Sequence, residues 1–304
     1  MKEDGEEHLK YREMEMDKEK YVILTAVRNE EAHIERLIKA VLGQTVLPVR
    51  WVVISDGSTD GTDEIVKRYA QGNRLLQLLR LERRNPRRDF GGKVCAIHRG
   101  WEEIKSLDYE FIGNLDGDVS IERDYYEGIL RKFEENENLG IAGGFVYEED
   151  RGRFESRKYN TTRDVAGAGE VFRRQCFEAI GGYVPVPVGG EDTIAAVSAR
   201  MKGWEVSAFP ELKIYHHKKG SDVRGALRER FRDGAAGFAV GSHPVFEILK
   251  SVRRIGQRPF GISALVRLAG FCSQYCLGVE RVVDGDFVKY LRGDQLKRIK
   301  WLFL

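Results

Sequence analysis

Cysteine is scarce: four in 304 residues, at Cys95, Cys176, Cys272 and Cys276, too few and too scattered for a disulfide scaffold. None belongs to a Cys-x-x-Cys pair, so a zinc knuckle or dithiol motif is also excluded, and a reducing, cytoplasmic setting is the simplest expectation. Seven prolines are too few for a collagenous or proline-rich chain. Excess charge is lacking as well, with 50 basic against 48 acidic residues and a net charge of +2, so no overall field favours nucleic acid. No apolar run is long enough to span a bilayer; the nearest, Phe260 to Val279, is interrupted by Arg267, Ser273 and Gln274. Residues 1–20 form a polar leader with five basic and eight acidic residues and none of the apolar core of a signal peptide. There is no internal repeat and no P-loop. Gly167-Ala168-Gly169 fails to complete a dinucleotide fingerprint because position 172 is Phe.

What remains is a chain of 42% hydrophobic and 32% charged residues, the composition of a globular enzyme. Short β-branched runs alternate with amphipathic stretches. Tyr21–Val27, Trp51–Ser55, Leu75–Leu81 and Tyr109–Leu115 read as buried strands. Between them, helices are expected over Glu30–Leu42, with Ile34, Leu37, Ile38 and Val41 on one face, over Asp60–Ala70 with Thr59 or Asp60 as N-cap, and over Val94–Ile104. This alternation predicts an α/β fold: right-handed crossovers and a mostly parallel, Rossmann-like sheet flanked by helices. Past Gly140 the rhythm changes. A strand at Ile141–Tyr147, a polar stretch without period from Glu148 to Arg163, a helix over Glu191–Met201 and short strands at Trp204–Phe209 and Leu212–His216 are expected. A helical C-terminal extension follows, basic at its end, with eleven basic and four acidic residues between 250 and 304.

In such sheets ligands bind beyond the carboxyl ends of the strands. Four strand ends here finish in polar clusters: Thr25 to Glu30, Ser55 to Asp60, Asn85 to Lys93, and Asp116-Gly117-Asp118. Two carboxylates two residues apart, on a turn leaving a buried strand, are hard oxygen ligands suited to Mn²⁺ or Mg²⁺ gripping a diphosphate. The competing reading is an Asp-Gly turn. Asp56 suits a base N–H, and Lys93 with the arginines at 83, 84, 87 and 88 suits phosphate charge, although a solvated loop explains most of those arginines.

The runs TAVRNEEAHIERLIKAVLGQT, VVISDGSTDGTDEIVKRYA, GGKVCAIHRGWE and FIGNLDGDVSI, in that order over residues 21 to about 125, resemble the N-terminal half of glycosyltransferase family 2, inverting enzymes of GT-A fold. The resemblance implies transfer from a nucleotide-sugar donor, UDP- or GDP-linked. It places Thr25, Ala26, Val27, Asn29 and Glu30 beside the nucleotide, Asp56 at the base, Lys93 in the Gly-Lys-x-x-Ala stretch, Asp116 near the ribose and metal, and Asp118 on the metal. Ser55 stands where the family often has a second Asp. Further on, Gly189-Gly190-Glu191-Asp192 resembles the pair that supplies the catalytic base, with Asp192 as the base and Glu191 orienting it or the acceptor; an acid stabilised at a helix N-terminus is the plainer reading. His216, the better fit by its spacing to Ser221, or else His217 is expected to complete the metal or diphosphate site, with Lys218, Lys219 and Arg224 in support.

The expected organisation is a leader (1–20), a GT-A catalytic domain (21–220) with a nucleotide-sugar half (21–125) and an acceptor half (126–220), and a basic helical region (221–304). Leu265, Leu268, Cys272, Tyr275, Cys276 and Val279 share a helical face, which either packs as core or rests on a membrane surface; the second would suit a lipid-linked rather than a soluble glycan acceptor and a peripheral place on the cytoplasmic membrane face. Two rival readings are a sugar-phosphate nucleotidyltransferase, disfavoured because no glycine-rich signature follows the first strand, and a non-catalytic nucleotide-sugar-binding scaffold.

Overall fold

A computed structural model describes residues 20–82, 90–150, 152–217, 223–256 and 260–302. The chain divides into two units, one of residues 1–83, 96–179 and 204–217 and one of residues 84–95, 180–203 and 218–304.

The first unit begins with β1 (Tyr21–Val27), whose continuous apolar run is buried on both faces, as a central parallel strand requires. α1 (Ile34–Leu42) buries Ile34, Leu37, Ile38 and Val41, the face set by the apolar spacing. Each such side chain contributes about 1.5–3 kcal/mol on leaving water. The helix starts four residues later than its pattern predicts: residues 31–33 form a turn in which the Glu30 carbonyl accepts from the N–H groups of His33 and Ile34, while the N–H groups of Glu30 and Glu31 donate to Thr62 Oγ1 and Asp60 Oδ2. β2 (Arg50–Asp56), α2 (Thr62–Ala70), β3 (Leu76–Leu81), α3 (Phe90–Ile104, shared between the units) and β4 (Phe111–Leu115) follow. The N-cap of α2 is Gly61 rather than Thr59 or Asp60, although one residue earlier Asp60 Oδ1 accepts the N–H of Thr62. Strands β3-β2-β1-β4 are parallel neighbours, so their carboxyl ends share one edge.

Beyond β4 the sheet turns mixed. β5 (Val119–Ile121), α4 (Tyr125–Glu135), β6 (Leu139–Asp150), β7 (Arg153–Ser156), β8 (Gly169–Arg173), α5 (Arg174–Ile180) and β9 (Glu205–His216) complete the order β3-β2-β1-β4-β8-β6-β9-β5, with β7 on β6. The polar stretch without period that begins at Glu148 contains the far end of β6 and the exposed strand β7, which pairs with it. The two short strands expected at 204–216 are one, β9, whose register shifts beside Pro210 between Phe209 and Lys213. Trp51, Tyr21, Tyr125, Tyr126 and Phe133 fill the core.

The second unit holds α6 (Glu191–Met201), α7 (Val223–Ala239), α8 (Pro244–Val252), α9 (Ile262–Cys276) and α10 (Gly285–Leu302). Val186, Ile194, Val197, Val240, Phe287 and Leu291 form its apolar cluster. Among the described residues, no helix is long and apolar enough to cross a membrane.

Candidate active site

The carboxyl ends of β1 and β2 are fastened to one another before they can hold anything else. Asn29, at φ 56° in the left-handed region, accepts the N–H of Thr59 on its side-chain oxygen at 2.9 Å, and its own N–H donates to Ser58 Oγ at 3.2 Å. Glu31 Oε2 accepts from the N–H of Gly61 at 3.1 Å, and Ser55 donates to Ser58 at 3.0 Å. Asn29, expected beside the nucleotide, has its side-chain oxygen engaged in holding the two loops together. Thr25 is expected in the same place. It is fully buried, and its hydroxyl accepts from the indole N–H of Trp51 at 3.0 Å, so it fixes β1 to β2 inside the protein. Ala26, Val27 and Glu30 remain at the strand end, with Val27 and Glu30 largely covered. Asp56 stays partly open, with the Arg28 guanidinium 3.8 Å away. Sequence reasoning passed over Arg28; its place beside the polar end of β1 was the available signal.

The Asp116-Gly117-Asp118 turn leaves β4 and presses against the end of β1. A β-carbon on Gly117 would lie 2.8 Å from Val27 Cγ1 and 3.3 Å from Glu30 Cγ, so only glycine lets the turn come this close. The N–H of Asp116 donates to the carbonyl of Ala168 at 3.0 Å. β5 then pairs antiparallel with β9, Val119 opposite His216, and the carbonyl of Asp118 accepts the N–H of His217 at 2.9 Å. His216 is the last residue of β9 and His217 lies just past it, and their rings take different partners. His216 Nε2 lies 3.4 Å from Asp118 Oδ2, whereas the His217 ring meets Ser120 Oγ at 2.7 Å and packs edge-on against Phe154. The hydrogen bond to Asp118 raises the pKa of His216 against the opposing effect of burial, and the charges of Asp118 and Asp116 add to the rise. Burial lowers that of His217, and the charge of Arg36 adds to the fall. Of the two expected histidines, His216 is the one beside Asp118, while the His217 ring is engaged by Ser120 and Phe154.

Asp118 and His216 make a two-membered set, and among the described residues no group of three or more His, Cys, Asp or Glu side chains could hold a metal alone. That set fits a hard divalent ion whose remaining ligands are water and substrate phosphate oxygens, the usual arrangement for Mg²⁺.

The other expected residues belong to the second unit. Lys93 lies in the first turn of α3. Glu191 and Asp192 open α6, where the helix dipole favours negative charge. Glu191 Oε2 accepts from the N–H of Gly190 at 3.0 Å, and Asp192 Oδ1 accepts from the N–H of Thr193 at 2.6 Å. Glu191 is buried, while Asp192 keeps partial exposure. Arg224 is exposed on α7. The arginines at 83, 84, 87 and 88, together with Lys218 and Lys219, lie outside the described residues, as does nearly all of the leader.

A parallel half-sheet with carboxylates beyond its strand ends, continued by mixed strands that return a histidine to them, defines a GT-A type of α/β protein. The chain belongs to glycosyl transferase family 2, whose profile matches residues 22–189. It is 21% identical over 248 residues, 76% of its length and 57% of the relative's, to a poly-β-1,6-N-acetyl-D-glucosamine synthase of Staphylococcus aureus. The chain spans about half or less of the length of the curated relatives it matches. Among solved structures it is similar to a mannosyltransferase from Pyrobaculum calidifontis in complex with GDP-Man and Mn²⁺, at TM-score 0.56 and 16% identity over 86% of this chain and 77% of that one. It is also similar to S. aureus TarS 1–349 in complex with UDP-GlcNAc, at TM-score 0.54 and 16% identity over 91% and 82% of the two chains. The family match sets the nucleotidyltransferase reading aside.

Proposed function

We propose that this protein transfers a sugar from a UDP- or GDP-linked donor to a hydroxyl of a glycan or lipid-linked acceptor, with inversion at the anomeric carbon, in polysaccharide biosynthesis. The observation that carries the proposal is the Asp118–His216 pair at 3.4 Å, where β9 ends and the Asp118 carbonyl accepts the His217 N–H just before β5. Residues 21–125 hold the donor and the stretch 126–220 receives the acceptor. Asp56 accepts from the base, Asp116 lies by the ribose, and Lys93 offsets phosphate charge. Asp118 and His216 would hold Mn²⁺ or Mg²⁺, which when bound neutralises charge on the departing nucleoside diphosphate. Asp192 takes the acceptor hydroxyl's proton as that oxygen attacks the anomeric carbon and the bond from that carbon to the diphosphate oxygen breaks. Glu191, engaged by the Gly190 N–H, keeps the α6 entrance in place beside it. Four free cysteines suit a cytoplasmic setting.

The test is sugar release or transfer from UDP-GlcNAc and GDP-mannose across an acceptor panel, with and without Mn²⁺. Turnover should require the metal, and Asp192→Asn should abolish transfer while sparing nucleoside diphosphate binding. Full turnover by Asp192→Asn would overturn the assignment of the base. Metal-dependent binding without turnover on any donor would favour a binding scaffold instead.

A further inference from the structure

α9 has the opposite polarity from an ordinary surface helix. Its buried positions include Ser263, Arg267 and Gly270, whereas Leu265 is 68% and Ile262 52% exposed, and Ala269, Cys272, Tyr275 and Cys276 also face outward. Its one charged residue is buried, so nothing charged interrupts the outer face. Val245, Ile248 and Val252 on α8, which packs on α9, are exposed at helical spacing, and Ile255 and Phe260 extend the apolar surface between the two helices. A surface helix of a soluble protein turns its apolar stripe inward.

The interior of this unit shows the matching peculiarity. A β-carbon on Gly234 of α7 would fall 1.9 Å from the Arg267 carbonyl, and one on Gly270 would fall 2.0 Å from the Phe231 carbonyl. The backbones of α7 and α9 therefore meet at glycines. Between the helices, Arg267 binds Glu247 at 2.8 Å with both side chains nearly inaccessible, and Asp233 lies 3.4 Å from Arg267. Close approach at small residues, polar groups paired inside and apolar groups outside are how helices pack in lipid. Yet α9, at 15 residues, is about 22 Å long and too short to span.

Charge selects the occupant. Residues 223–256 and 260–282 carry nine basic and four acidic side chains, and Arg224, Arg228, Arg253 and Arg281 are exposed among them. A second copy would bring the same positive region against itself across a twofold interface. A bilayer with anionic headgroups complements both the apolar face and its charge. We propose that α8 and α9 lie in the plane of an anionic membrane surface, with Ile248, Val252, Ile262 and Leu265 entering the headgroup–acyl boundary and Arg253, next to Val252, meeting lipid phosphate.

Sedimentation with vesicles tests this, using phosphatidylcholine alone and phosphatidylcholine with about 30% phosphatidylglycerol. Binding should be roughly tenfold or more stronger to the anionic vesicles and should weaken with salt. The double variant Ile262→Glu/Leu265→Glu, altered at solvent-facing sites, should lose about tenfold or more of that binding at an unchanged unfolding temperature. In the unaltered protein, alkylation of Cys272 and Cys276 should slow on anionic vesicles, while exposed Cys95 reacts as before. No binding, undiminished binding by the double variant, or no protection of the two cysteines would overturn the proposal. So would a stable dimer in solution that the double variant dissociates, which would give the face to a second copy.

Discussion

Adding one methyl group at Gly117 probes the corner of the site without removing any functional group. In Gly117→Ala the new carbon would lie 2.8 Å from Val27 Cγ1, against the 3.5–4.0 Å or so of a comfortable carbon contact, so the turn or β1 must move by about 0.7 Å or more. Val27 is buried and cannot swing into solvent. Overpacking of this kind costs about 1–3 kcal/mol, which for a unit of this size lowers the unfolding temperature by roughly 2–12 °C. The same shift displaces the carboxylates on either side, and a misplacement near 1 Å can cost on the order of 100-fold in rate. Val27→Ala removes the obstructing carbon. In the double variant the two changes should therefore couple, with a total loss smaller than the sum of the single losses by about 0.5–3 kcal/mol and with partial recovery of metal-dependent nucleotide binding. The assays are thermal unfolding and nucleotide titration of all four proteins. Strict additivity, or a Gly117→Ala protein as stable and active as its parent, would refute the packing of this turn on β1.

Thr25→Val should lower stability by about 1–3 kcal/mol in denaturant titration, because the Trp51 indole loses its acceptor, and should leave nucleoside diphosphate affinity unchanged. Asp56→Ala should do the reverse, weakening nucleotide binding by roughly tenfold with little change in unfolding, since its carboxylate is partly open. In the helical unit, Arg267→Met strands buried Glu247 and should cost about 3 kcal/mol in guanidinium unfolding. Burial opposes ionisation of Glu247, but Lys250 and Arg267 prevail and hold its carboxyl below its ordinary 4.5. Its contribution to stability is therefore complete above pH 4.5 and is lost as pH falls through the depressed folded value. Glu247→Gln should flatten that acid limb of the stability profile.

β1 and α6 occur where the sequence predicts them, since one is a continuous β-branched run and the other a helix with an acidic first turn. The order of the nucleotide-side strands was equally legible, because parallel crossovers leave few alternatives. β8, inserted antiparallel between β4 and β6, was hidden, since pairing partners are chosen by tertiary contacts rather than local pattern. At the site, spelling located the acidic turn and the two histidines. Which ring meets Asp118 was not legible in the strand pattern: Asp118 precedes β5 and His217 follows β9, so strand register does not govern their side chains, and extending it would set Asp118 opposite His217, whereas His216 lies 3.4 Å away. Thr25 and Asn29 share the same loop cluster in sequence, yet their side chains are committed to Trp51 and Thr59, partners 26 and 30 residues away. On α9 the apolar periodicity was readable, but not whether that face turned inward or outward.

The most direct test of the acidic corner is calorimetric titration of UDP and GDP, with and without Mn²⁺, into the unaltered protein and Asp118→Asn. The account predicts nucleotide binding that Mn²⁺ strengthens at least about tenfold in the unaltered protein and leaves unstrengthened in the variant. Equal strengthening by Mn²⁺ in both proteins would contradict it.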